Sequence, residues 1–78
     1  MPRTPSRVNW TDHALTKAAL LGLARADVEN AVLTGHRRRS RNPRSADWLV
    51  SFGPYVIAYN HPDRDDHEAA RIVTVWRA

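Results

Sequence analysis

The sequence predicts a single small α+β domain in which a two-helix hairpin packs on one face of a small antiparallel sheet. Residues 12–35 carry apolar side chains at intervals of three and four, which is the spacing of amphipathic helices. Residues 48–76 instead contain three segments rich in β-branched and aromatic residues, as strands are. A chain of 78 residues is too short to divide into several domains. The helices of the N-terminal half and the strands of the C-terminal half are therefore expected to pack around a single core.

The first elements are a short strand and a helix. Arg7–Trp10 is the predicted strand, after a flexible N-terminus of residues 1–6; the domain then spans residues 7–78. Thr11 offers a hydroxyl cap, and the helix runs over residues 12–21 with Asp12 in its first turn. One buried stripe is expected on this helix, and Gly22 is expected to end it; the stripe consists of Leu15, Ala18, Ala19 and Gly22.

A second helix is predicted from Arg25 to Leu33. Its start is poorly capped by Ala24, and Gly35 is the predicted stop. The two helices are separated by only a few residues, so they form an αα-hairpin. The predicted buried positions on the second helix are Val28, Ala31, Val32 and Gly35.

The remaining elements are strands. Gly53-Pro54 predicts a tight turn between the first two of them. A polar, acidic loop over residues 60–69 precedes the last strand, and His36–Asn42 is predicted to pair as an edge strand. The order is then β-α-α-β-β-β-β. The three main strands are Trp48–Phe52, Tyr55–Tyr59 and Arg71–Trp76.

The chain has a net charge of +4, and its arginines are concentrated in one segment. Arginine matches phosphate oxygens with a planar fork of donors, which favours a nucleic acid as partner. If this segment is extended, Arg37, Arg39 and Arg41 share one face and can follow a single RNA strand. A solvated basic loop and a surface for an acidic protein are the alternatives. The predicted RNA-binding residues are Arg37, Arg38, Arg39, Arg41 and Arg44.

Composition limits the other classes. The chain has no cysteine, which fits a reducing compartment, and no apolar run approaches a membrane span. The N-terminal residues lack the apolar core of a signal peptide, so we expect a cytoplasmic protein. So small a core gains stability from self-association or a bound partner. No nucleotide-binding, zinc-protease or serine-hydrolase motif is present, and no cofactor is expected.

Three titratable stretches are candidates for chemistry. His13 lies in the first turn of the first helix with Lys17 one turn later; histidine is the commonest general base, although many such rings only pack or cap. His61 and His67 lie among four acids, but their spacing matches no metal-ligand signature, so a solvated loop and no metal site are predicted. The aromatic residues are expected mostly in the core.

The string HALTKAALLGLARADVENAVLTG, residues 13–35, resembles the opening of small bacterial proteins of the RelE/ParE-like toxin superfamily, especially the BrnT-like group. The hydrophobic hairpin, the acidic turn and the final RIVTVW are also similar, so the resemblance covers roughly residues 8–77. It implies a RelE/ParE-like fold. It also implies a type II toxin that cleaves messenger RNA, either free or on the ribosome. An acidic antitoxin would neutralise this toxin, and the protein would form a homodimer or a toxin–antitoxin hetero-oligomer.

The resemblance also implies a metal-independent site. His13 matches the histidine of the family's helix and Lys17 its first basic position, whereas Leu21 stands where many relatives have a second basic residue. Thr74 and Arg77 fall on the last strand, where relatives place polar residues that face the substrate.

The expected reaction is attack of a ribose 2′-hydroxyl on the neighbouring phosphorus, which leaves a cyclic phosphate. It needs a base, an acid and cations for the growing charge. We expect His13 as base or acid, Thr74 to orient the phosphate, and Tyr59 or His61 to donate the leaving proton. The expected charge stabilisers are Lys17, Arg39 and Arg77. Two rival interpretations stay open: a non-catalytic toxin of the gyrase-inhibitor type, and an RNA- or protein-binding module.

Overall fold

The computed structural model describes residues 4–42, 44 and 46–78 and contains two helices on a five-stranded mixed sheet. The strand order in the sheet is β1-β5-β4-β3-β2. The predicted element order is confirmed, but the sheet is not purely antiparallel, because β1 pairs in parallel with β5. The elements are β1 (Arg7–Trp10), α1 (Asp12–Leu20), α2 (Arg25–Gly35), β2 (Ser40–Arg41), β3 (Trp48–Phe52), β4 (Tyr55–Asn60) and β5 (Ala69–Arg77).

Helix α1 is bounded by the two residues that the sequence indicates. The backbone N–H of Ala14 donates to the hydroxyl of Thr11, and Gly22 has a φ of 72° beyond the last turn. The N–H of Leu23 then donates to the carbonyl of Ala18, so the released carbonyls are satisfied as in a Schellman motif. The predicted buried stripe is displaced by one position: Ala14 and Ala18 are buried, whereas Ala19 is exposed.

Helix α2 extends to Gly35 and lacks a side-chain cap at Ala24. Gly35 is part of the last turn instead of following the helix, and its φ is not positive. A Cβ atom at this position would collide with Cγ2 of Val50 on β3. Glycine is therefore required here because the helix lies close to the sheet, and not because the helix ends.

The predicted edge strand over residues 36–42 is wrong for most of its length. His36–Arg38 form a single 3-10 turn that continues α2, and only Ser40–Arg41 pair with β3. An alternating strand face that carries Arg37, Arg39 and Arg41 therefore does not exist. The Gly53-Pro54 turn is confirmed, since Phe52 pairs with Tyr55 and Gly53 has a φ of 59°.

The core lies between the helices and one face of the sheet. Strand β5 is an inner strand, with β1 on one side and β4 on the other, so residues from both halves of the sequence meet on it. Pro5 is buried and the N–H of Ser6 donates to the carbonyl of Glu68, so part of the predicted flexible segment is docked; residues 1–3 lie outside the described residues. The central buried side chains are Ala14, Ala18, Val28, Val32, Val50, Ile57, Tyr59, Ala70, Ile72 and Val75.

In the described part of the chain, neither helix has the length and apolar character that crossing a bilayer requires.

Candidate functional site

The first polar region is the pair of His13 and Thr74. Nε2 of His13 lies 3.2 Å from the hydroxyl oxygen of Thr74, although 61 positions separate the two residues in the sequence. His13 is exposed and Thr74 is half-buried. An exposed imidazole that shares a hydrogen bond with a hydroxyl can accept or deliver a proton at the protein surface.

The start of helix α1 positions this pair. The hydroxyl of Thr11 lies 3.0 Å from the carbonyl oxygen of Ile72 and 3.1 Å from that of Val73, and its backbone N–H donates to Ile72 as well. The helix N-terminus is thus tied to β5 one residue before Thr74. His13, two residues beyond Thr11, then reaches the next side chain along the strand.

Two predicted cations lie on the same elements. Lys17 is half-buried one helical turn from His13, and within the described residues its side chain forms no hydrogen bond or ion pair. Arg77 is exposed, three residues from Thr74 along β5, and its guanidinium lies 5.8 Å from the ring centre of Tyr55. Side chains alternate along a strand, so Arg77, an odd number of residues from Thr74, leaves the opposite face of β5, about 10 Å farther along it.

The second polar region, which we call the histidine cluster, consists of His36, Tyr59 and His61. Nδ1 of His36 lies 2.6 Å from the phenolic oxygen of Tyr59, and the two histidine rings meet edge to face with 4.9 Å between their centres. Nδ1 of His61 lies 3.1 Å from the carbonyl oxygen of Ala69, which can only accept, so this nitrogen carries the proton. All three side chains are buried.

Burial governs the ionisation of two groups in the histidine cluster. It lowers the pKa of His36 to about 4, and electrostatic repulsion by the neighbouring Arg39 and His61 acts in the same direction. Burial also raises the pKa of Tyr59 to about 12, although the charge of Arg39 opposes this change. At neutral pH the imidazole of His36 and the phenol of Tyr59 are therefore both uncharged, which suits a hydrogen bond inside the core.

Arg39 lies against the histidine cluster and not in the His13–Thr74 region. Its guanidinium carbon is 4.1 Å from the ring centre of Trp48, and Nη1 donates to the carbonyl of His36 at 3.0 Å. Nε of Arg39 is buried and has no hydrogen-bond partner within the described residues. The indole N–H of Trp48 donates to the carbonyl of His61 at 3.3 Å, so Trp48 is fixed on the other side.

The arginines fall into two groups by their partners. Arg7 binds Asp66, and Arg71 binds the buried Asp63 through two nitrogens at 3.0 Å; the guanidinium of Arg71 lowers the pKa of the Asp63 carboxyl. The other arginines form no ion pair within the described residues. Exposed members at positions 37–44 are Arg37, Arg38, Arg41 and Arg44, which we call the unpaired arginines; the half-buried Arg39 and the exposed Arg25, Arg64 and Arg77 also form none.

The acidic loop does not form a metal centre in the described part of the chain, where no three histidine, aspartate or glutamate side chains converge. It borders an open groove of about 390 Å³ instead. The groove contains both signs of charge, and its lining residues are Asp47, Asn60, Pro62, Asp63, Arg64, Asp65 and Arg71.

The sequence-predicted site residues therefore separate into two regions. His13 and Thr74 meet, with Lys17 one helical turn from His13 and Arg77 farther along β5. Tyr59 and His61 are instead buried in the histidine cluster, with Arg39 next to it. Among the described residues, no hydrogen bond or ring contact joins the two regions.

Sequence reasoning missed His36 and Trp48. Both are parts of the histidine cluster's packing, and His36 follows the last turn of α2 directly. A histidine between Gly35 and an arginine run reads as part of a solvated segment. The signal in the sequence was Gly35. A glycine permits the end of α2 to approach the sheet closely, and this approach buries the next residue, His36.

No family model matches this chain, and no curated protein or solved structure matches it significantly.

Proposed function

We propose that this protein is a metal-independent endoribonuclease of the RelE/ParE-like toxin type. The hydrogen bond between His13 and Thr74 is the observation that carries the proposal. It joins two residues from opposite ends of the chain that the family resemblance assigns to one site. The exposed arginines supply a surface for the phosphates of RNA, because they are unpaired and carry their charge into solvent.

His13 acts as the base or the acid of the reaction. The ribose 2′-oxygen bonds to phosphorus while its proton passes to a base, and the bond from phosphorus to the 5′-oxygen breaks as that oxygen takes a proton. Lys17, one helical turn from His13, stabilises the charge that grows on the phosphate oxygens, whereas Arg77, on the other face of β5, contributes to RNA binding instead. Thr74 holds the imidazole and orients the phosphate.

Other predicted roles change under this proposal. Tyr59 is fully buried and His61 is 8% exposed, so neither side chain can meet a phosphate in this conformation. The leaving oxygen then takes its proton from His13, from Lys17 or from water. Arg39, next to Trp48, serves in binding rather than at the reacting phosphate.

The biological setting belongs to the same proposal. A basic toxin of this type acts on messenger RNA in the cytoplasm, and a small acidic antitoxin covers its arginines until it is released. The sequence resemblance over residues 8–77 and the unpaired arginines support this setting.

A cleavage assay on mixed RNA in EDTA tests the proposal. Wild-type protein is expected to release fragments with cyclic-phosphate ends, and His13→Ala is expected to lower the rate by about 10²–10⁴-fold, the range for a general acid or base. His67 is exposed in the acidic loop and provides the control. His67→Ala should cleave within twofold of wild type, whereas an unchanged rate for His13→Ala would refute the mechanism.

RNA binding without cleavage is the second candidate. The burial of Tyr59 and His61 favours it, because it removes two of the three expected proton-transfer groups from the surface. In that case RNA should bind with an affinity that falls steeply as salt rises, and no product should form at any protein concentration.

A further inference from the structure

Trp48 and Arg39 form a layered platform next to the unpaired arginines. The indole of Trp48 is held in place by its N–H bond to the carbonyl of His61 and by an edge contact to His36 at 6.5 Å. The guanidinium of Arg39 lies over this ring with 4.1 Å between its carbon and the ring centre. Both side chains are half-buried, so the platform reaches the surface.

Two of the three guanidinium nitrogens of Arg39 face the protein. Nη1 donates to the carbonyl of His36, and Nε is buried without any partner in the described chain. No carboxylate pairs with this guanidinium within the described residues. A carboxylate partner binds arginine through its in-plane N–H donors, so an acidic protein has fewer of them to use at Arg39 than at a fully exposed arginine.

The flat face of a guanidinium recognises a different ligand. Nucleobases of single-stranded RNA stack on arginine planes as they do on aromatic rings. Arg38 and Arg41 are exposed on either side of Arg39 in the sequence and carry charge for the neighbouring phosphates. The platform and the charges next to it are thus complementary to a nucleotide, which has a planar ring with an anion beside it.

We infer that the outer face of the Arg39 guanidinium, backed by Trp48, is a stacking site for one nucleobase of single-stranded RNA. This inference rests on the proposed RNA function and names the subsite that holds the substrate away from His13. It assigns Arg39 to base contact and leaves the phosphate contacts to Arg38 and Arg41.

Two probes of equal charge separate stacking from phosphate binding. One is a 2′-O-methyl RNA octamer, in which the attacking hydroxyl is blocked, and the other is an abasic octamer with the same backbone. Fluorescence anisotropy of the full chain with each probe gives a preference for bases. One stacked base contributes about 5- to 150-fold to that preference.

The test variant is Arg39→Lys, which keeps the charge and removes the plane. Its preference for bases should fall by about fivefold or more, while its affinity for the abasic probe stays within about threefold of wild type. The control is Arg64→Lys, an exposed arginine of the acidic loop without a ring contact in the described chain, which should keep the wild-type preference. If circular dichroism shows that Arg39→Lys is unfolded, Arg39→Met, whose unbranched stem still covers Trp48, should lose the preference in the same way.

The outcomes distinguish this inference from the proposed function. A wild-type protein that binds both probes equally, or an Arg39→Lys variant that is folded and keeps the full preference, overturns the stacking site and leaves RNA binding intact. A wild-type protein that binds neither probe at low salt overturns both. Since neither probe can be cleaved, the absence of nuclease activity does not affect the result.

Discussion

The His13–Thr74 pair and the histidine cluster use the same side-chain chemistry in opposite environments. Each contains an imidazole that shares a hydrogen bond with a hydroxyl, at 3.2 Å in the pair and 2.6 Å in the cluster. His13 is exposed, whereas His36 and Tyr59 are buried. Since a buried polar group must be satisfied inside the protein, the cluster contributes to stability, and the exposed pair is free to serve a substrate.

The electrostatics differ in the same way. Burial lowers the pKa of His36 to about 4, so its proton uptake is linked to unfolding. The His13–Thr74 pair instead has Lys17 one helical turn away on α1. A histidine with a hydroxyl partner is therefore not by itself a catalytic feature. Its exposure decides between a structural role and a functional one.

The largest expected effect is the pH dependence of stability that His36 causes. Its pKa in the folded protein, about 4, is below its ordinary value of 6.5. The unfolded chain therefore binds more protons between these values. The stabilisation is fully present above pH 6.5 and is lost as the pH falls to 4, with a free-energy change of about 3 kcal/mol at most. Urea unfolding curves at several pH values measure it.

The variant His36→Phe removes this titration and keeps an apolar ring in the same space. Its free energy of unfolding should be lower than that of wild type at pH 7 and should change much less between pH 6.5 and pH 4. If the slope of stability against pH is the same in both proteins, His36 is not the group responsible, and the contrast between the two regions is weakened.

An intermediate effect is expected for Tyr59→Phe. The change removes the hydroxyl that bonds His36 and leaves a buried nitrogen without a partner, at a cost of about 1–3 kcal/mol in the free energy of unfolding. The matched control is Tyr55→Phe on the same strand, whose hydroxyl forms no hydrogen bond within the described residues; it should cost less than about 0.5 kcal/mol. RNA cleavage at a pH where both are folded should be unchanged, and a loss comparable to that of His13→Ala would place Tyr59 in the chemistry after all.

The smallest effect on stability is expected for Thr74→Val. The replacement has a similar shape and removes the hydroxyl that bonds the exposed His13. The free energy of unfolding should change by less than about 0.5 kcal/mol, because the imidazole can bond to water instead. Cleavage should fall by about tenfold, the value of one lost hydrogen bond of roughly 1.4 kcal/mol. Chemical denaturation measures the stability and the RNA assay measures the cleavage. A large loss of stability with normal cleavage would show that the His13–Thr74 pair is structural and not functional.

Local signals in the sequence predicted most of the elements. The hydroxyl cap at Thr11, the positive φ of Gly22 and the turn at Gly53 each depend on neighbours within a few positions, so they are visible in one segment of chain. The wrong predictions depend on distant contacts. Gly35 was read as a helix stop, but its role is to admit Val50 of β3, fifteen positions later.

The arginine segment illustrates the same limit. An extended strand was predicted because alternation of side chains is a local pattern, but α2 continues into a 3-10 turn and only two residues pair with β3. The exposed charges of Arg37, Arg38 and Arg41 are as predicted, since charge belongs to the residue itself. The prediction that alternate arginines of this segment share one strand face is wrong, because a strand forms only where the segment pairs with a distant part of the chain.

By itself, the sequence determined the α+β class, the helix starts and turns, the surplus of arginine and the importance of His13 as a candidate. The tertiary structure alone decided that His13 meets Thr74, that β1 pairs in parallel with β5, and that Tyr59 and His61 lie in the core with His36. The physical reason is the range of the interactions. Backbone propensities and charges act within a few residues, whereas burial and side-chain contacts arise only when segments far apart in the chain pack together.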